Sequence, residues 1–158
     1  MGISYFALPV PPQMVDIARI NPRAFLADEH FWESWSPPAH RPEGLYLDKS
    51  WRDIADLLAG TDPPRDAYEL VRGEVTQYGY GWIPYDRVLS ASQVVAVAQD
   101  FARLNVAELY QARMTIVSPD WAAIMDGRRT GVEDYLQDAR RFTARLAGLG
   151  LGLIYSIG

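Results

Sequence analysis

The sequence predicts an α+β fold: a single compact domain, rich in helices, with a small and mostly antiparallel sheet that includes the N- and C-terminal strands. The length of 158 residues fits one domain, and 49% hydrophobic with 22% charged residues is a globular balance. Strand patterns occur at the start, in the middle and at the end of the chain, and helical patterns fill most of the rest. Because the two kinds of pattern do not alternate regularly, we expect residues 1–158 to form one α+β domain rather than a doubly wound sheet.

Three segments have the composition of β-strands. Each is rich in β-branched, aromatic or other apolar residues and is bounded by prolines, glycines or polar turns. The first should stop before the prolines that begin at Pro9, and the last is apolar enough to be buried on both faces. The predicted strands are residues 3–8, 44–48 and 151–157.

Four helices are predicted in the first half of the chain. Asn21 and Pro22 are typical of a helix start, since Asn is a good N-cap and Pro fits the first helical position. Ser50 and Asp53 have the spacing of a capping box, although Asp is weaker there than Glu or Gln. The predicted helices are residues 13–20, 22 to 31 or 32, 51–59 and 66–72. The prolines between residues 36 and 42 predict a loop.

Helix signals are stronger in the second half, where three residue pairs have capping-box spacing or a close variant of it. These pairs are Ser90 with Gln93, Asn105 with Glu108, and Thr130 with Glu133. They predict helices that begin at residues 90, 105 and 132 and end near residues 104, 116 and 147. A further short helix is predicted over residues 118–127. Residues 78–85 are glycine-rich and aromatic, and we expect them to be irregular.

Composition excludes several classes of site and partner. The chain has no cysteine, which excludes disulfides, thiolate metal ligands and a cysteine nucleophile. His30 and His40 stand in no metal-binding motif, and no serine stands in a nucleophile elbow, so no metal and no cofactor are expected. The net charge of −5 and the dispersed arginines argue against nucleic-acid binding. No secretory signal and no membrane-spanning segment are found, which predicts a cytoplasmic protein without membrane contact.

The five tryptophans and nine tyrosines are an excess that has two interpretations. They can fill an irregular core, or they can line a cleft or a partner surface, where aromatic side chains carry much of the binding energy. In the second interpretation, polar residues would fix the ligand, although Asp48 and Lys49 can equally be a solvated turn. The candidate ligand-binding residues are Asp48, Lys49, Trp51, Tyr78, Tyr85, Arg113 and Trp121.

Several motifs resemble those of a known family. Residues 47–51 (LDKSW) and 57–60 (LLAG) are similar to the L-D-K-x-W…L-T-G stretch of the bacterial YfbM-like proteins. Residues 87–89 (RVL) and 118–121 (SPDW) are similar to two later elements of that family. The resemblance implies a compact α+β domain, and it brings no established activity or catalytic residues. Relatives often have a histidine in the helix after the tryptophan, and this sequence has none there, which favours a binding role over a histidine-dependent enzyme.

The sequence therefore predicts a non-enzymatic protein that binds a small molecule or a protein through an aromatic-lined groove near Trp51, residues 78–85 and Trp121. One alternative is a hydrolase with two carboxylates as acid and base, since such work requires two carboxyl groups in unequal environments. Its candidates are Asp48, Glu74, Asp86 and Glu108. Another alternative is an acidic inhibitor or immunity-type protein for a basic enzyme. The sequence assigns neither a catalytic residue nor an oligomeric state.

Overall fold

The structure, a computed structural model, describes residues 2–35 and 42–158. The strands are β1 (Tyr5–Val10), β2 (Leu45–Asp48), β3 (Thr76–Tyr78), β4 (Gly81–Ile83), β5 (Tyr85–Leu89) and β6 (Gly152–Ile157). The helices are α1 (Val15–Ile20), α2 (Pro22–Leu26), α3 (Glu29–Ser34), α4 (Trp51–Leu58), α5 (Ala91–Arg103), α6 (Val106–Met114) and α7 (Pro119–Leu149). Short 3₁₀ helices lie at Pro12–Met14 and Asp66–Leu70.

Four strands form one antiparallel sheet in the order β2-β1-β6-β5, and β3 with β4 forms a separate hairpin. The C-terminal strand β6 lies between β1 and β5, and all six of its residues are buried. A helix-rich α+β domain with a small antiparallel sheet that contains both terminal strands is what the sequence predicts. Within the described ranges, no helix is long and apolar enough to cross a membrane.

The sheet is covered on both faces. The larger core lies between one face and helices α4, α5 and α7, and it includes Tyr5, Tyr155 and Leu153 from the sheet. The smaller core lies on the other face against α1 and α2, and it includes Val88 and Ile154 from the sheet. Burial of β6 on both faces explains why its sequence is continuously apolar instead of alternating.

The first half of the chain differs from the prediction at several points, and the helix expected over residues 66–72 is the 3₁₀ helix Asp66–Leu70. Strand β1 continues through Pro9. Strand β2 pairs with β1 only at residues 5–7, so beyond them one edge of β1 has no neighbouring strand. Proline is tolerated there because no backbone N–H is needed on that edge. The helix expected from Pro22 is two helices, since Asp28 accepts a hydrogen bond from the Phe31 N–H and begins α3. Ser50 makes no side-chain capping bond at the start of α4.

In the second half, the capping box of Ser90 and Gln93 is confirmed, and Asn105 caps α6. The box at Thr130 is wrong, because α7 is one helix of 31 residues. Its buried stripe continues from Met125 to Val132, seven residues later, and on to Leu136, so the core favours an uninterrupted helix. Glu133 accepts from Arg129 Nε (2.7 Å) instead of capping.

The irregular segment predicted at residues 78–85 is a hairpin followed by a strand. Gly79 has φ +59° in the two-residue turn between β3 and β4, a region that favours glycine. All six residues of the hairpin strands are exposed, so the alternation that signals a half-buried strand is absent. Strand β5 was missed because Asp86 and Arg87 lie in it, and each of them pairs with a charged residue distant in sequence, Arg23 and Glu69 respectively.

Asp100 anchors the chain between α4 and the hairpin. Its carboxylate accepts two hydrogen bonds from Arg65, both of 2.8 Å, and one from the Ala67 N–H, also of 2.8 Å. Asp100 is buried, and the hydrogen bonds from Arg65 hold the pKa of its carboxyl below the ordinary value. The start of the 3₁₀ helix Asp66–Leu70 is thereby fixed to α5.

Replacing Gly73 by alanine should destabilise the protein by about 2–4 kcal/mol, from backbone strain and overpacking together. Gly73 has φ +140°, and a Cβ there would overlap the Tyr85 ring. The control is Gly131→Ala in α7, where a Cβ meets open space and should stabilise the helix by about 0.5–1 kcal/mol. Urea unfolding measures both, and equal effects of the two changes would contradict this reading of Gly73.

Asp100→Asn should lower the free energy of unfolding at pH 7 by about 2–3 kcal/mol, because Arg65 loses its buried charged partner. The folded pKa of Asp100 is depressed, so this stabilisation is present above the unfolded pKa of about 4 and is lost as pH falls through the folded value. The difference in the free energy of unfolding between wild type and variant should therefore shrink between about pH 5 and about pH 3, the range in which the carboxyl group gains its proton.

The control for this prediction is Asp138→Asn, which removes an exposed carboxylate that pairs with Arg141 on the surface of α7. That change should cost less than about 1 kcal/mol at either pH. Urea unfolding at the two pH values is the measurement, and a gap for Asp100→Asn that stays constant with pH would show that the carboxylate charge is not what stabilises the fold.

Candidate functional site

A cleft of about 390 Å³ lies beside α4, opposite the chain that leads from the 3₁₀ helix Asp66–Leu70 to β3. Trp51 is one of the lining residues, although it is only 5% exposed and is mostly buried in the core. The lining residues are Trp51, Arg52, Ala55, Asp56, Ala59, Tyr68, Gly73, Glu74 and Val75.

One wall of the cleft is a stripe along α4. Arg52, Ala55, Asp56 and Ala59 are spaced by three, one and three residues, so they share one face of the helix. The neighbouring face carries the buried residues of α4 and packs into the larger core. The two alanines leave the space that forms the cleft, and the two charged residues supply its polar contacts.

The opposite wall is held by two tyrosines of the sheet. Tyr155 donates a hydrogen bond to the Arg72 carbonyl (2.5 Å), with the Glu69 carbonyl at 3.1 Å, and Tyr5 donates to the Leu70 carbonyl (2.8 Å). The two rings stack with centroids 5.2 Å apart. Burial raises the pKa of both hydroxyls above the ordinary value, so both stay protonated as donors.

The charges in the cleft differ in their partners. Arg113 of α6 donates to both carboxylate oxygens of Asp56, at 2.6 and 2.9 Å. The Arg52 guanidinium lies over the Trp51 ring, 5.3 Å from its centroid, in cation–π geometry. Glu74 is exposed at the far wall. The cleft is thus lined by Asp56, which is paired with Arg113, by the cation Arg52 and, on the opposite wall, by the acid Glu74.

A second depression of about 300 Å³ adjoins the first at Arg52. It is lined by Gly2, Ile3, Lys49, Arg52 and Trp82. Trp82 comes from the hairpin and is 41% exposed. The Trp51 indole N–H donates to the Ile3 carbonyl (3.4 Å), so a residue that lines the cleft is bonded to one that lines the depression. Because Arg52 lines both, the two depressions are neighbours on either side of this side chain.

The structure brings four of the predicted site residues to this region. Trp51 lines the cleft and Lys49 lines the adjoining depression. Arg113 lies behind the cleft, bound to Asp56. Tyr85 packs beneath the cleft wall, where its ring leaves no room for a side chain at Gly73.

Like Arg113 and Tyr85, the remaining three predicted site residues line neither depression. Tyr78 is exposed in the hairpin, on β3. Trp121 is in the first turn of α7, 39% exposed, with Arg128 6.0 Å from its ring centroid. Asp48 ends β2 with φ +48° and accepts a hydrogen bond from the Tyr46 hydroxyl (3.3 Å).

Sequence reasoning did not find Arg52, Asp56 or Tyr68. The helical spacing of residues 52, 55, 56 and 59 could have marked the α4 stripe, because small and charged residues lie there beside the apolar face. Tyr68 carries no such signal, since its place in the cleft depends on bonds from distant residues.

The carboxylates considered for hydrolysis lie in separate surroundings. Glu74 lines the cleft, Asp48 is bonded to Tyr46, and Asp86 pairs with Arg23 (3.2 Å) on the opposite face of the sheet. Glu108 is exposed in the first turn of α6. His30 is exposed on α3, and His40 lies outside the described residues. In the part of the chain that the structure describes, no group of three or more acidic or histidine side chains is placed to hold a metal ion.

Comparison with known proteins connects this fold to one solved structure. No family model matches the sequence, and no curated protein matches it. The chain is similar in structure to YfbM from Escherichia coli, a protein of unknown function, with a TM-score of 0.55 and 15% sequence identity. The match covers 99% of this chain and 100% of that one. The chain therefore has the fold of YfbM over nearly its whole length, which confirms the resemblance in the sequence at the level of the fold.

Proposed function

We propose that this protein is a binding domain and that a small molecule binds in the cleft beside α4. The observation that carries the proposal is the cleft itself, about 390 Å³ in volume, with Trp51 and Tyr68 in its walls. Small-molecule sites are typically roughly 300–1,000 Å³, mostly apolar, with a few polar groups that fix orientation. Arg52, Asp56 and Glu74 are such groups here.

Rigid walls support binding in this cleft. The α4 wall is fixed by the larger core and by the bond of Asp56 to Arg113, and the other wall by the tyrosine hydrogen bonds. A ligand would therefore enter a site whose shape exists beforehand, which lowers the entropy that binding must overcome.

The geometry favours binding over carboxylate-dependent hydrolysis. A hydrolase of that type needs two carboxyl groups about 5–10 Å apart around the scissile bond. Glu74 and Asp56 both line the cleft, but Arg113 donates a hydrogen bond to each carboxylate oxygen of Asp56, so both of these oxygens already have a partner. No observation specifically favours an acidic inhibitor or immunity-type protein.

The test is a thermal-unfolding screen of the purified protein against a library of small metabolites. A compound present at about a hundred times its Kd should add about 2.7 kcal/mol to the free energy of unfolding, which raises Tm measurably. Ala59→Phe should abolish that shift, because Ala59 is exposed at the end of α4 and a ring there fills the cleft. Trp51 is not a suitable test, since its buried side chain belongs to the core.

The matched control is Ala102→Phe, the same change at an exposed position of α5. It should leave the ligand-induced shift intact. A library without a single binder, or a shift that survives in Ala59→Phe, would contradict the proposed site.

A further inference from the structure

The positive charges of this chain are mostly neutralised by neighbours, and the exceptions are informative. Within residues 2–35 and 42–158, nine arginines form ion pairs with carboxylates. Arg140 instead donates to the carbonyls of Phe101 and Leu104, both at 3.0 Å. The described cations that have neither kind of partner are Lys49, Arg52, Arg103 and Arg145.

Two of these four cations lie in the same depression. Lys49 and Arg52 are one turn apart, since the Arg52 N–H bonds to the Lys49 carbonyl (3.5 Å), and both line the space beside Trp82. The protein carries a net charge of −5, so two adjacent cations that form no ion pair are not a consequence of its composition. Like charges at this spacing repel each other, and a bound anion would relieve that repulsion.

Apolar surface surrounds the two cations. Ile3 and Trp82 line the depression with them, and Arg52 lies over the Trp51 ring. Beyond Arg52 the cleft continues along Ala55 and Ala59. A ligand with one anionic end would place its charge at Lys49 and Arg52 and its apolar body along α4.

A carboxylate at the other side of the cleft limits the number of negative charges that the ligand can carry. Glu74 is exposed there, and neither an ion pair nor a hydrogen bond of its side chain is found among the described residues. A second negative charge at that end of the ligand would be repelled, so a polyanion such as nucleic acid fits poorly.

We propose that the ligand is a small molecule with a single anionic group, a carboxylate or a phosphate ester, on an apolar body, and that Lys49 and Arg52 bind the anionic group. This proposal rests on the proposed function of the cleft. Arg52 offers a planar fork suited to either kind of anion, and Lys49 adds a flexible ammonium.

The experiment is ¹⁵N NMR of the purified protein with four probes: benzoate, phenyl phosphate, the neutral benzamide, and inorganic phosphate alone. The indole N–H signal of Trp82 reports on the depression and that of Trp51 on the cleft, because each side chain lines one of the two spaces. At least one aromatic anion should move both signals and bind about tenfold more tightly than benzamide, because the added hydrogen bonds are charge-assisted. Benzoate and phenyl phosphate distinguish a carboxylate from a phosphate ester.

A double variant, Lys49→Gln with Arg52→Gln, should reduce the affinity for the aromatic anion to that for benzamide. The matched control, Arg103→Gln with Arg145→Gln, removes the same charge from two positions that line neither the cleft nor the depression, and it should leave binding unchanged. Equal binding of benzamide and the anions would overturn the anionic ligand and leave the cleft as a binding site. Inorganic phosphate binding as tightly as phenyl phosphate would overturn the apolar body. If no probe moves either signal, the anionic ligand is wrong, and the thermal screen decides separately whether the cleft binds anything.

Discussion

The hydrogen bonds from Tyr5 and Tyr155 to the carbonyls of residues 69–72 are the constraint on which both the fold and the cleft depend. The 3₁₀ helix Asp66–Leu70 ends at this point, and the last carbonyls of a helix have no partner within it. A buried carbonyl without a partner costs about 1–3 kcal/mol, and the sheet supplies donors for these. One pair of stacked rings thus connects the middle of the sheet to the wall of the cleft.

Two charged contacts reinforce the same short segment. Arg65 and the Ala67 N–H bind Asp100 of α5, which fixes the beginning of the 3₁₀ helix. Glu69 of the same 3₁₀ helix pairs with Arg87 of β5, which fixes the helix to the edge strand of the sheet. A segment with little regular structure is therefore held from α5, from β5 and from the centre of the sheet. This explains how a loop-like wall can form a cleft of defined shape.

The elements that the sequence predicted correctly are those whose signals are local. Ser90 and Gln93 form their capping hydrogen bonds within a stretch of four residues, so the capping box predicted from the sequence is the one that forms. The C-terminal strand is apolar throughout because both of its faces are buried. In contrast, β5 carries Asp86 and Arg87, which resemble loop residues until their distant partners Arg23 and Glu69 are known. No local pattern contains those pairings.

The long helix α7 was missed for a related reason. Gly127 and Gly131 weaken its middle by about 1 kcal/mol each relative to alanine, so local preference favours a break there. The buried stripe on either side has the same phase, and packing against α5 and the sheet restores continuity. Tertiary packing outweighs a local signal of this size.

The aromatic excess divides between the two interpretations that the sequence left open. Tyr5, Tyr110 and Tyr155 are core residues, whereas Tyr78 and Tyr80 are exposed on the hairpin, and Trp51 belongs to the core and to the cleft wall. The charges divide in a way that composition cannot show. Among the described residues, nine arginines form ion pairs with carboxylates. Whether a cation has a partner depends on which acids folding brings beside it. At the start of α4, folding brings tryptophans instead, and a local positive charge on apolar surface is what an anionic ligand requires.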